Sequence, residues 1–421
     1  MKKRCGLLGR KLSHSYSPLI HSYLSDYSYE LFEVEPEDVE GFMLSGCFDA
    51  INVTVPYKTA VIPYLDELSD AAKKISSVNT VVKTEDGRLV GDNTDYYGFL
   101  YMLGCGNIDV KGKKALVLGS GGSSRTVVAA LTDSGAESVT VISRTGEDNY
   151  DNLQKHADAQ IIVNTTPVGM YPEKNGESPI SLDIFSCLEG VVDLIFNPSV
   201  TELLFLAKEK GVRCVGGLSM LVAQAKAASE RFTGRKIDDG KIEEIIGVIR
   251  GMTENIILVG MPGCGKSTVG REIAHRLGRE FVDTDEEVVR TKGKSIPEIF
   301  AQEGEEAFRA YEHEAICSVC KKSGLVIATG GGAPTRANNI RALKQNGCTV
   351  FMMRDTTELS RGGRPLSASA DLDEMYRQRE PHYLGCADIT ADVCPTPQQT
   401  AQSIIEKVRA WQLGANTENN K

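Results

Sequence analysis

The chain has 421 residues, a length typical of about three domains, and a net charge of −10 from 47 basic and 57 acidic residues. This balance argues against nucleic acid as a partner, and no apolar run approaches the ~18–20 residues of a membrane span. The N-terminal stretch MKKRCGLLGR lacks a signal-peptide core, and 11 scattered cysteines are typical of reduced thiols, so we expect a cytoplasmic protein.

A polar loop, GRKLSHSYSP, follows the first predicted strand at residues 4–8. Ser17 before Pro18 predicts a helix that Ser17 caps and that runs to about Leu24. The closely spaced polar side chains of this loop, Ser15 and Ser17 among them, are compatible with a ligand loop and equally with a solvated, serine-rich loop.

The next predicted strand, residues 50–55, is followed by Pro56, and Lys58 is predicted to begin a helix just beyond it. Ligands of α/β folds bind at this end of a strand. A hairpin at residues 78–91 leads into GDNTD, where Asp95 is either a helix cap or a functional carboxylate.

A glycine-rich turn, GSGGSS, joins a buried strand at residues 113–118 to a helix. The strand before it and the helix after it favour a dinucleotide site, although the spacing departs from G-x-G-x-x-G at the last glycine. The following strand ends in Arg144 between two hydroxyl residues, which favours the 2′-phosphate of NADP, while Glu147 and Asp148 nearby weaken that interpretation.

The first half of the chain is predicted to end with two helices. An amphipathic helix begins at Gly217 and carries Gln224, which is either a core hydrogen-bonding residue or a substrate contact. A final helix is predicted over residues 234–246, and residues 247–254 are predicted to be a short linker. We place the main domain boundary in this linker.

The motif GMPGCGKST lies between an apolar strand, residues 255–259, and a helix with apolar residues four apart. It matches G-x-x-x-x-G-K-[ST], in which backbone N–H groups cradle phosphates, Lys266 adds a positive charge and Ser267 offers a hydroxyl to Mg²⁺. The motif therefore predicts that this part of the chain binds a nucleoside triphosphate.

Beyond this phosphate loop, Asp283 and Asp285 end the next predicted strand. Another strand, residues 325–329, ends in glycines without the usual carboxylate, and Asp283 is the best substitute for it. Residues 361–366 are predicted to form a mobile basic flap. Arg377 and Arg379 are predicted to lie on a helix that Pro381 ends. Cys317 and Cys320 lie in a helical stretch with no second ligand pair, so we expect no metal there.

These blocks resemble two families joined end to end. SHSYSP, NVTVPYK, VNT, GDNTD, GSGGSS, SRT, NTTPVGM and GGLSMLVAQ stand in the order of shikimate dehydrogenase within residues 1–250. GMPGCGKST, DTD, EEAFR, TGGG, RPL and REPHY stand in the order of shikimate kinase within residues 255–412. The resemblance covers nearly the whole chain, and blocks in order are far more specific than any one motif.

For the dehydrogenase, the resemblance implies roles for individual residues. Lys58 and Asp95 would be the catalytic pair. Shikimate would be bound by Ser15, Ser17, Thr54, Lys58, Asn79, Asp95 and Gln224. NADP would be bound by Gly119, Ser120, Gly121, Gly122, Ser123, Ser124, Ser143, Arg144, Thr145 and Gly217. The chain differs from the family in having Phe196 where tyrosine is usual, and a single arginine, Arg144, where many members have two.

For the kinase, Lys266 and Asp285 would be catalytic, and Asp285 would orient or deprotonate the acceptor hydroxyl. ATP would be bound by Gly263, Cys264, Gly265, Lys266, Ser267, Thr268 and Arg364. Mg²⁺ would be held by Ser267 and Asp283, and shikimate by Asp285, Arg309, Gly331 and Arg379. Residues 395–397 replace the arginine usual on the adenine side.

The resemblance therefore implies an α/β fold with a substrate domain at 1–100, a Rossmann-like NADP domain at 101–250, a P-loop kinase domain with a parallel sheet at 255–412 and a disordered tail at 413–421. It implies a bifunctional enzyme that acts on 3-dehydroshikimate and shikimate. Two alternatives remain: a quinate/shikimate dehydrogenase that uses NAD beside the same kinase, and a non-catalytic metabolite sensor.

Overall fold

A computed structural model describes residues 2–12, 15–172, 177–359 and 371–414. The chain divides into two compact units. The first unit comprises Met1–Met170, Gly176–Phe196 and Thr201–Ile246, and the second comprises Tyr171–Asn175, Asn197–Val200 and Gly247–Lys421. The predicted flap at 361–366 with Arg364, and the tail from residue 415, lie outside the described residues.

The first unit contains two sheets. Its strands are β1 Arg4–Gly9, β2 Ser28–Glu33, β3 Ala50–Val53, β4 Glu67–Leu68, β5 Thr80–Lys83, β6 Leu89–Asp92, β7 Lys114–Leu118, β8 Ser138–Ile142, β9 Ile161–Asn164, β10 Gly190–Asp193 and β11 Arg213–Gly216. Its helices are α1 Ser17–Leu24, α2 Val39–Ser45, α3 Asp70–Ile75, α4 Thr94–Cys105, α5 Gly122–Asp133, α6 Glu202–Glu209 and α7 Leu218–Thr233. Helix α8, Gly240–Thr253, crosses the boundary between the units.

The first sheet is mixed and has the strand order β2-β1-β3-β5-β6-β4. Strand β3 is buried along its whole length and pairs in parallel with β1 and antiparallel with β5. Its core includes Leu8, Ile51, Tyr57 and Val81. The polar loops after β1 and β3 therefore emerge side by side, because the carboxyl ends of neighbouring parallel strands meet at one sheet edge.

The second sheet is parallel, with the order β11-β10-β9-β7-β8. Strand β7 lies between β8 and β9, so the chain leaves β7 in one direction and later returns on its other side. In open α/β sheets such a reversal creates a crevice at the carboxyl ends of the strands, where nucleotides bind. The glycine-rich turn after β7 lies at this point.

The second unit is built on a parallel sheet with the order β13-β14-β12-β15-β16. Its strands are β12 Asn255–Val259, β13 Phe281–Asp283, β14 Val326–Ala328, β15 Gly347–Met353 and β16 Ile389–Asp392. Its helices are α9 Lys266–Leu277, α10 Thr284–Lys292, α11 Ile296–Glu303, α12 Glu305–Cys320, α13 Ala337–Gln345, α14 Leu372–Cys386 and α15 Pro397–Gln412. Strand β12 is central and fully buried, as its apolar sequence predicts.

Several local expectations are wrong. Ser17 is the first residue of α1 rather than its cap, and its side chain makes no capping hydrogen bond. Lys58 lies in a turn rather than at the start of a helix. The predicted linker at 247–254 is mostly helical, because α8 continues to Thr253. Helix α14 runs through Pro381 to Cys386.

No helix in the described parts of the chain is both long and apolar enough to cross a membrane. All 11 cysteines are free thiols. Among the described residues, no group of three or more histidine, cysteine, aspartate or glutamate side chains could hold a metal ion.

Candidate active sites

A cavity of ≈ 640 Å³ in the first unit contains every residue that the sequence predicts to bind the dehydrogenase substrate. These residues are Ser15, Ser17, Thr54, Lys58, Asn79, Asp95 and Gln224. Ser123 and Gly217, predicted for the cofactor, also line it. The cavity therefore joins the loops after β1 and β3 to the glycine-rich turn after β7.

At the cavity wall, Lys58 and Asp95 form an ion pair, with Lys58 Nζ 2.6 Å from Asp95 Oδ2. Their side chains are 20% and 12% exposed, so the pair is largely shielded yet reachable from the cavity. Asn79 Nδ2 donates to the other oxygen of Asp95 across 2.9 Å. Asp95 is thus a held carboxylate beside a lysine rather than a helix cap, because Asn93 occupies the cap position of α4.

Gln224 reaches this network from α7. Its Nε2 donates to the Leu221 carbonyl across 2.9 Å, and its Oε1 lies 3.5 Å from Asn79 Nδ2. Gly98 of α4 permits this approach, because a Cβ there would lie 3.0 Å from the Gln224 Cβ. The close packing of α4 on α7 therefore brings Gln224 to the cavity.

Four further residues that line the cavity were not predicted from the residues themselves: Lys11, Asn52, Phe196 and Met220. Asn52 Oδ1 accepts a hydrogen bond from the Tyr29 hydroxyl across 2.8 Å, which ties the cavity wall to β2. The Phe196 ring packs edge-on against Tyr16, with centroids 5.9 Å apart. Their signal in the sequence is weak, because they lie on separate elements. Asn52 is in β3, Met220 is on α7, and the other two follow β1 and β10, which sequence alone does not bring together.

The glycine-rich turn after β7 has features that favour an anionic ligand. Gly119 has φ +98°, and a Cβ there would lie 2.9 Å from Thr166 Cγ2, so glycine is needed for both reasons. Helix α5 begins at Gly122, and the residues around its start are exposed. Backbone N–H groups at the start of a helix favour an anionic ligand.

Arg144 lies at the end of β8 with its side chain exposed, and it makes no hydrogen bond or ion pair with any described residue. Of the two nearby acids, Asp148 is already engaged, because its Oδ1 lies 2.8 Å from His156 Nε2. The guanidinium is therefore available to a cofactor phosphate, and Asp148 contacts His156 rather than Arg144.

Asp193, at the end of β10, shapes the loop that carries Phe196. Its carboxylate accepts hydrogen bonds from the Thr201 hydroxyl, across 2.6 Å, from Asn164 Nδ2 and from the Ile195 N–H. Burial raises the pKa of Asp193 to about 6. These bonds join β9 and β10 to the loop that leads into the cavity.

In the second unit, the phosphate loop has the predicted form. Gly260, Gly263 and Gly265 all have positive φ. Lys266 is 7% exposed, and its Nζ donates to the carbonyls of Gly260 and Met261 across 2.8 and 2.9 Å. The ammonium group is thus held inside the loop where phosphate oxygens are expected.

Ser267 and Asp283 are brought together as the sequence predicts. Ser267 Oγ donates to Asp283 Oδ2 across 2.6 Å, and Asp283 Oδ1 caps α10 through the Asp285 N–H. Two oxygen donors beside a phosphate loop fit Mg²⁺, which usually keeps waters and phosphate oxygens as its other ligands.

The predicted acceptor-binding residues converge on the glycine loop after β14. A Cβ on Gly330 would lie 2.7 Å from Asp285 Oδ1, and one on Gly332 would lie 2.7 Å from Arg309 Nη1. Arg379 Nη1 donates to the Gly331 carbonyl across 3.4 Å. One carboxylate and two guanidinium groups therefore surround this loop, whose glycines leave no room for side chains.

Glu312 belongs to this cluster but was not predicted. It is 1% exposed, and its Oε2 accepts from Arg309 Nη1 across 3.0 Å, while Oε1 has no hydrogen-bond partner among the described residues. Burial raises its pKa. Its spacing three residues after Arg309 on α12 is a signal that could have indicated a positioning role.

These features define a dinucleotide-dependent α/β dehydrogenase joined to a P-loop kinase. The family model described as shikimate dehydrogenase substrate binding domain matches residues 7–81, and the one described as shikimate kinase matches residues 262–409. The chain belongs to the shikimate dehydrogenase family, and its second unit carries a shikimate kinase domain.

Three similar proteins illustrate the match. A shikimate dehydrogenase (NADP(+)) of Clostridium beijerinckii is 38% identical over 56% of this chain and 93% of its own. The crystal structure of a Thermus thermophilus shikimate 5-dehydrogenase in complex with NADP(H) and shikimate is 36% identical, with a TM-score of 0.53 over 58% of this chain and 98% of its own. A Corynebacterium glutamicum quinate dehydrogenase in complex with NAD is 28% identical, with a TM-score of 0.52 over 58% of this chain and 98% of its own.

Proposed function

We propose that the first unit reduces 3-dehydroshikimate to shikimate with NADPH, and that the second transfers the γ-phosphoryl group of ATP to the shikimate 3-hydroxyl. The observation that carries the first reaction is the gathering of all the predicted substrate residues around the Lys58–Asp95 pair in one cavity. The family membership of both units supports the same proposal.

In the reduction, the bound dinucleotide supplies hydride to the substrate carbonyl. Negative charge then develops on the carbonyl oxygen, so a cation and a proton donor are needed beside it. The Lys58 ammonium provides both, and Asp95 orients it. Asn79 fixes the other Asp95 oxygen, which keeps the carboxylate directed at Lys58.

The cofactor is proposed to be NADP rather than NAD. The N-terminus of α5 and the turn at Gly119 suit the pyrophosphate, and Arg144 suits a 2′-phosphate, which a guanidinium can bind through two hydrogen bonds. Asp148 contacts His156 and does not pair with Arg144, so it does not occupy the guanidinium.

In the phosphoryl transfer, positioning and cations matter more than covalent chemistry. Lys266 would neutralise charge on the transferring group, and Ser267 with Asp283 would hold Mg²⁺. Asp285 would orient the acceptor hydroxyl and take its proton. Arg309 and Arg379 would bind the shikimate carboxylate, because the guanidinium fork matches two carboxylate oxygens.

A coupled assay tests both reactions together. Purified protein is incubated with 3-dehydroshikimate, NADPH and ATP–Mg²⁺, and shikimate 3-phosphate is measured by mass spectrometry. Parallel reactions replace NADPH by NADH, and shikimate by quinate in the reverse direction. Formation of the product only with NADPH and ATP supports the proposal. Preference for NADH with quinate would favour the first alternative, and binding without turnover would favour a metabolite sensor.

A further inference from the structure

Tyr383 is a buried residue of α14 that ends the REPHY block, but neither the resemblance nor the proposed mechanism assigns it a role. It is 0% exposed, and its ring stacks on Phe351 of β15, with centroids 5.1 Å apart and an interplanar angle of 30°. Apolar packing explains the ring but not the hydroxyl, because a buried tyrosine hydroxyl costs free energy unless it finds a hydrogen-bond partner.

That partner is the glycine loop of the acceptor site. The Tyr383 hydroxyl donates to the Gly331 carbonyl across 2.6 Å. Arg379 lies one helical turn earlier and donates to the same carbonyl across 3.4 Å. The tyrosine bond is much the shorter of the two, so Tyr383 holds this carbonyl more firmly. Burial raises the pKa of Tyr383, which keeps the hydroxyl protonated as a donor.

Gly331 is also confined from the side of the phosphate loop. A Cβ on Gly331 would lie 2.6 Å from Pro262 Cγ and 2.9 Å from Pro262 N. A backbone nitrogen cannot move aside as the end of a flexible side chain can. Gly331 is therefore enclosed between the phosphate loop and α14.

The orientation of the loop decides what it offers to a ligand. A trans peptide bond places C=O and N–H on opposite sides, so a carbonyl held by Tyr383 directs the Gly332 N–H away from α14. Within the described residues, neither the Gly331 nor the Gly332 N–H donates a hydrogen bond. Arg309 lies against Gly332, so a free donor and a cation lie together there.

We infer that Tyr383 is a positioning residue for the kinase reaction: its hydroxyl holds the Gly331 carbonyl so that the glycine loop stays against Pro262 and presents its N–H groups to the acceptor substrate. This inference rests on the proposed kinase activity. It predicts that the hydroxyl acts on the acceptor and not on ATP, because its bond goes to the glycine loop.

The test is Tyr383→Phe, which keeps the ring and its stacking on Phe351 but removes the hydroxyl. The KM for shikimate should rise about tenfold, the size expected from losing one well-formed hydrogen bond, while the KM for ATP stays within about twofold. Tyr376→Phe is the matched control. It removes a hydroxyl from the same helix, where the partner is Glu380 at 2.8 Å, and it should leave both KM values unchanged.

Each other outcome is decisive. An unchanged KM for shikimate in soluble Tyr383→Phe, or an equal rise in both KM values with a lower melting temperature, would overturn the positioning role. An insoluble variant would also overturn it, because the hydroxyl would then be needed for folding. Absence of shikimate phosphorylation by the wild-type protein would instead reject the proposed kinase function. That result is distinct from a failure of the role of Tyr383, which is judged from variants of an active kinase.

Discussion

Lys58 Nζ lies 2.6 Å from Asp95 Oδ2, and this contact joins the turn after β3 to the first turn of α4. Residues 37 positions apart in sequence thereby form one unit beside the cavity. Both residues line the cavity, so a change to either side chain acts directly at the candidate site.

Lys58→Ala should lower the dehydrogenase rate by about 10²–10⁴-fold, the usual contribution of a general acid, and leave the kinase near the wild-type rate. NADP-linked oxidation of shikimate and the release of ADP are measured separately on the same preparation. If more than about a tenth of the dehydrogenase rate survives, Lys58 is not the proton donor.

Lys266→Ala should have the reverse effect. The lysine is held inside the phosphate loop by two backbone carbonyls, so its removal takes away a cation that stabilises charge on the transferring phosphoryl group. We expect the kinase rate to fall by about 10²-fold or more, with the dehydrogenase unchanged. Together with Lys58→Ala, this gives a pair of variants in which each activity controls for the other. Shikimate-dependent ATP turnover that survives the change would support a sensor.

Lys11 should contribute to binding of the substrate carboxylate. It lines the cavity, is exposed, and makes no hydrogen bond or ion pair with any described residue, whereas Lys58 is already paired. In Lys11→Ala, the KM for shikimate should rise about two- to fivefold, as for a partly exposed charge pair.

The methyl ester of shikimate isolates this charge effect, because it lacks the carboxylate and its KM should not change in Lys11→Ala. Lys111→Ala, which removes an exposed lysine outside the lining of the cavity, is the matched control. An equal effect on acid and ester would show that Lys11 acts through shape rather than charge.

Features that depend on residues adjacent in sequence could be predicted from the sequence alone. Strand β12, the phosphate loop and α9 follow from adjacent residues, because apolar runs, glycines and a helical pattern lie next to one another. The structure places Ser267 beside Asp283, because the carboxyl ends of parallel strands share one edge, and their role at Mg²⁺ stays a prediction. The grouping of Ser15, Asn79 and Gln224 in one site was predicted from the order of the family motifs, because hydrophobic periodicity alone does not place these residues together.

What the sequence missed depends on tertiary packing. Tyr383 lies in the REPHY block but received no role, and Glu312 looks like an ordinary helix residue, until the glycine loop after β14 is placed against them. Pro381 was expected to end α14, but the helix continues to Cys386. Residues 247–254 were expected to form a linker, yet α8 continues to Thr253. Local propensity is a weak guide where neighbouring elements supply the decisive contacts.

Arg144 should make the dehydrogenase prefer NADPH to NADH. The guanidinium is exposed and has no partner among the described residues, so a 2′-phosphate would gain up to two charge-assisted hydrogen bonds. Arg144→Ala should lower kcat/KM for NADPH about tenfold or more and leave kcat/KM for NADH nearly unchanged. Lys155→Ala, another exposed cation nearby in sequence, is the control. Equal kcat/KM for both cofactors in the wild-type protein would contradict the prediction.

The two activities should be separable on two fragments of the chain, but the position of the cut must take helix α8 into account. Within the first unit, α8 contributes Ile242 and Ile245, which are both 0% exposed. Within the second unit, Arg279 Nη1 donates to the Glu254 carbonyl across 2.9 Å, and Arg250 Nη1 donates to the Gln412 carbonyl across 3.3 Å. A cut near Gly251, at the linker expected from sequence, would divide this helix.

We therefore expect overlapping fragments 1–253 and 240–421 to be soluble and active, because each retains the whole of α8. The matched pair 1–251 and 252–421 removes Arg250 from the kinase piece and leaves Glu254, which is 3% exposed, without that cation, so this kinase piece should melt at a lower temperature. Fragment 240–421 also lacks Val200, whose N–H donates to the Gln345 carbonyl across 2.9 Å. Gln345 precedes β15, so this loss falls at the amino-terminal ends of the strands, whereas the phosphate loop lies at their carboxyl ends. It should therefore reduce stability without reducing kcat.

Melting temperatures and both activities are measured for all four fragments. A soluble 240–421 fragment without kinase activity would show that the segments contributed by the first half of the chain are needed for catalysis.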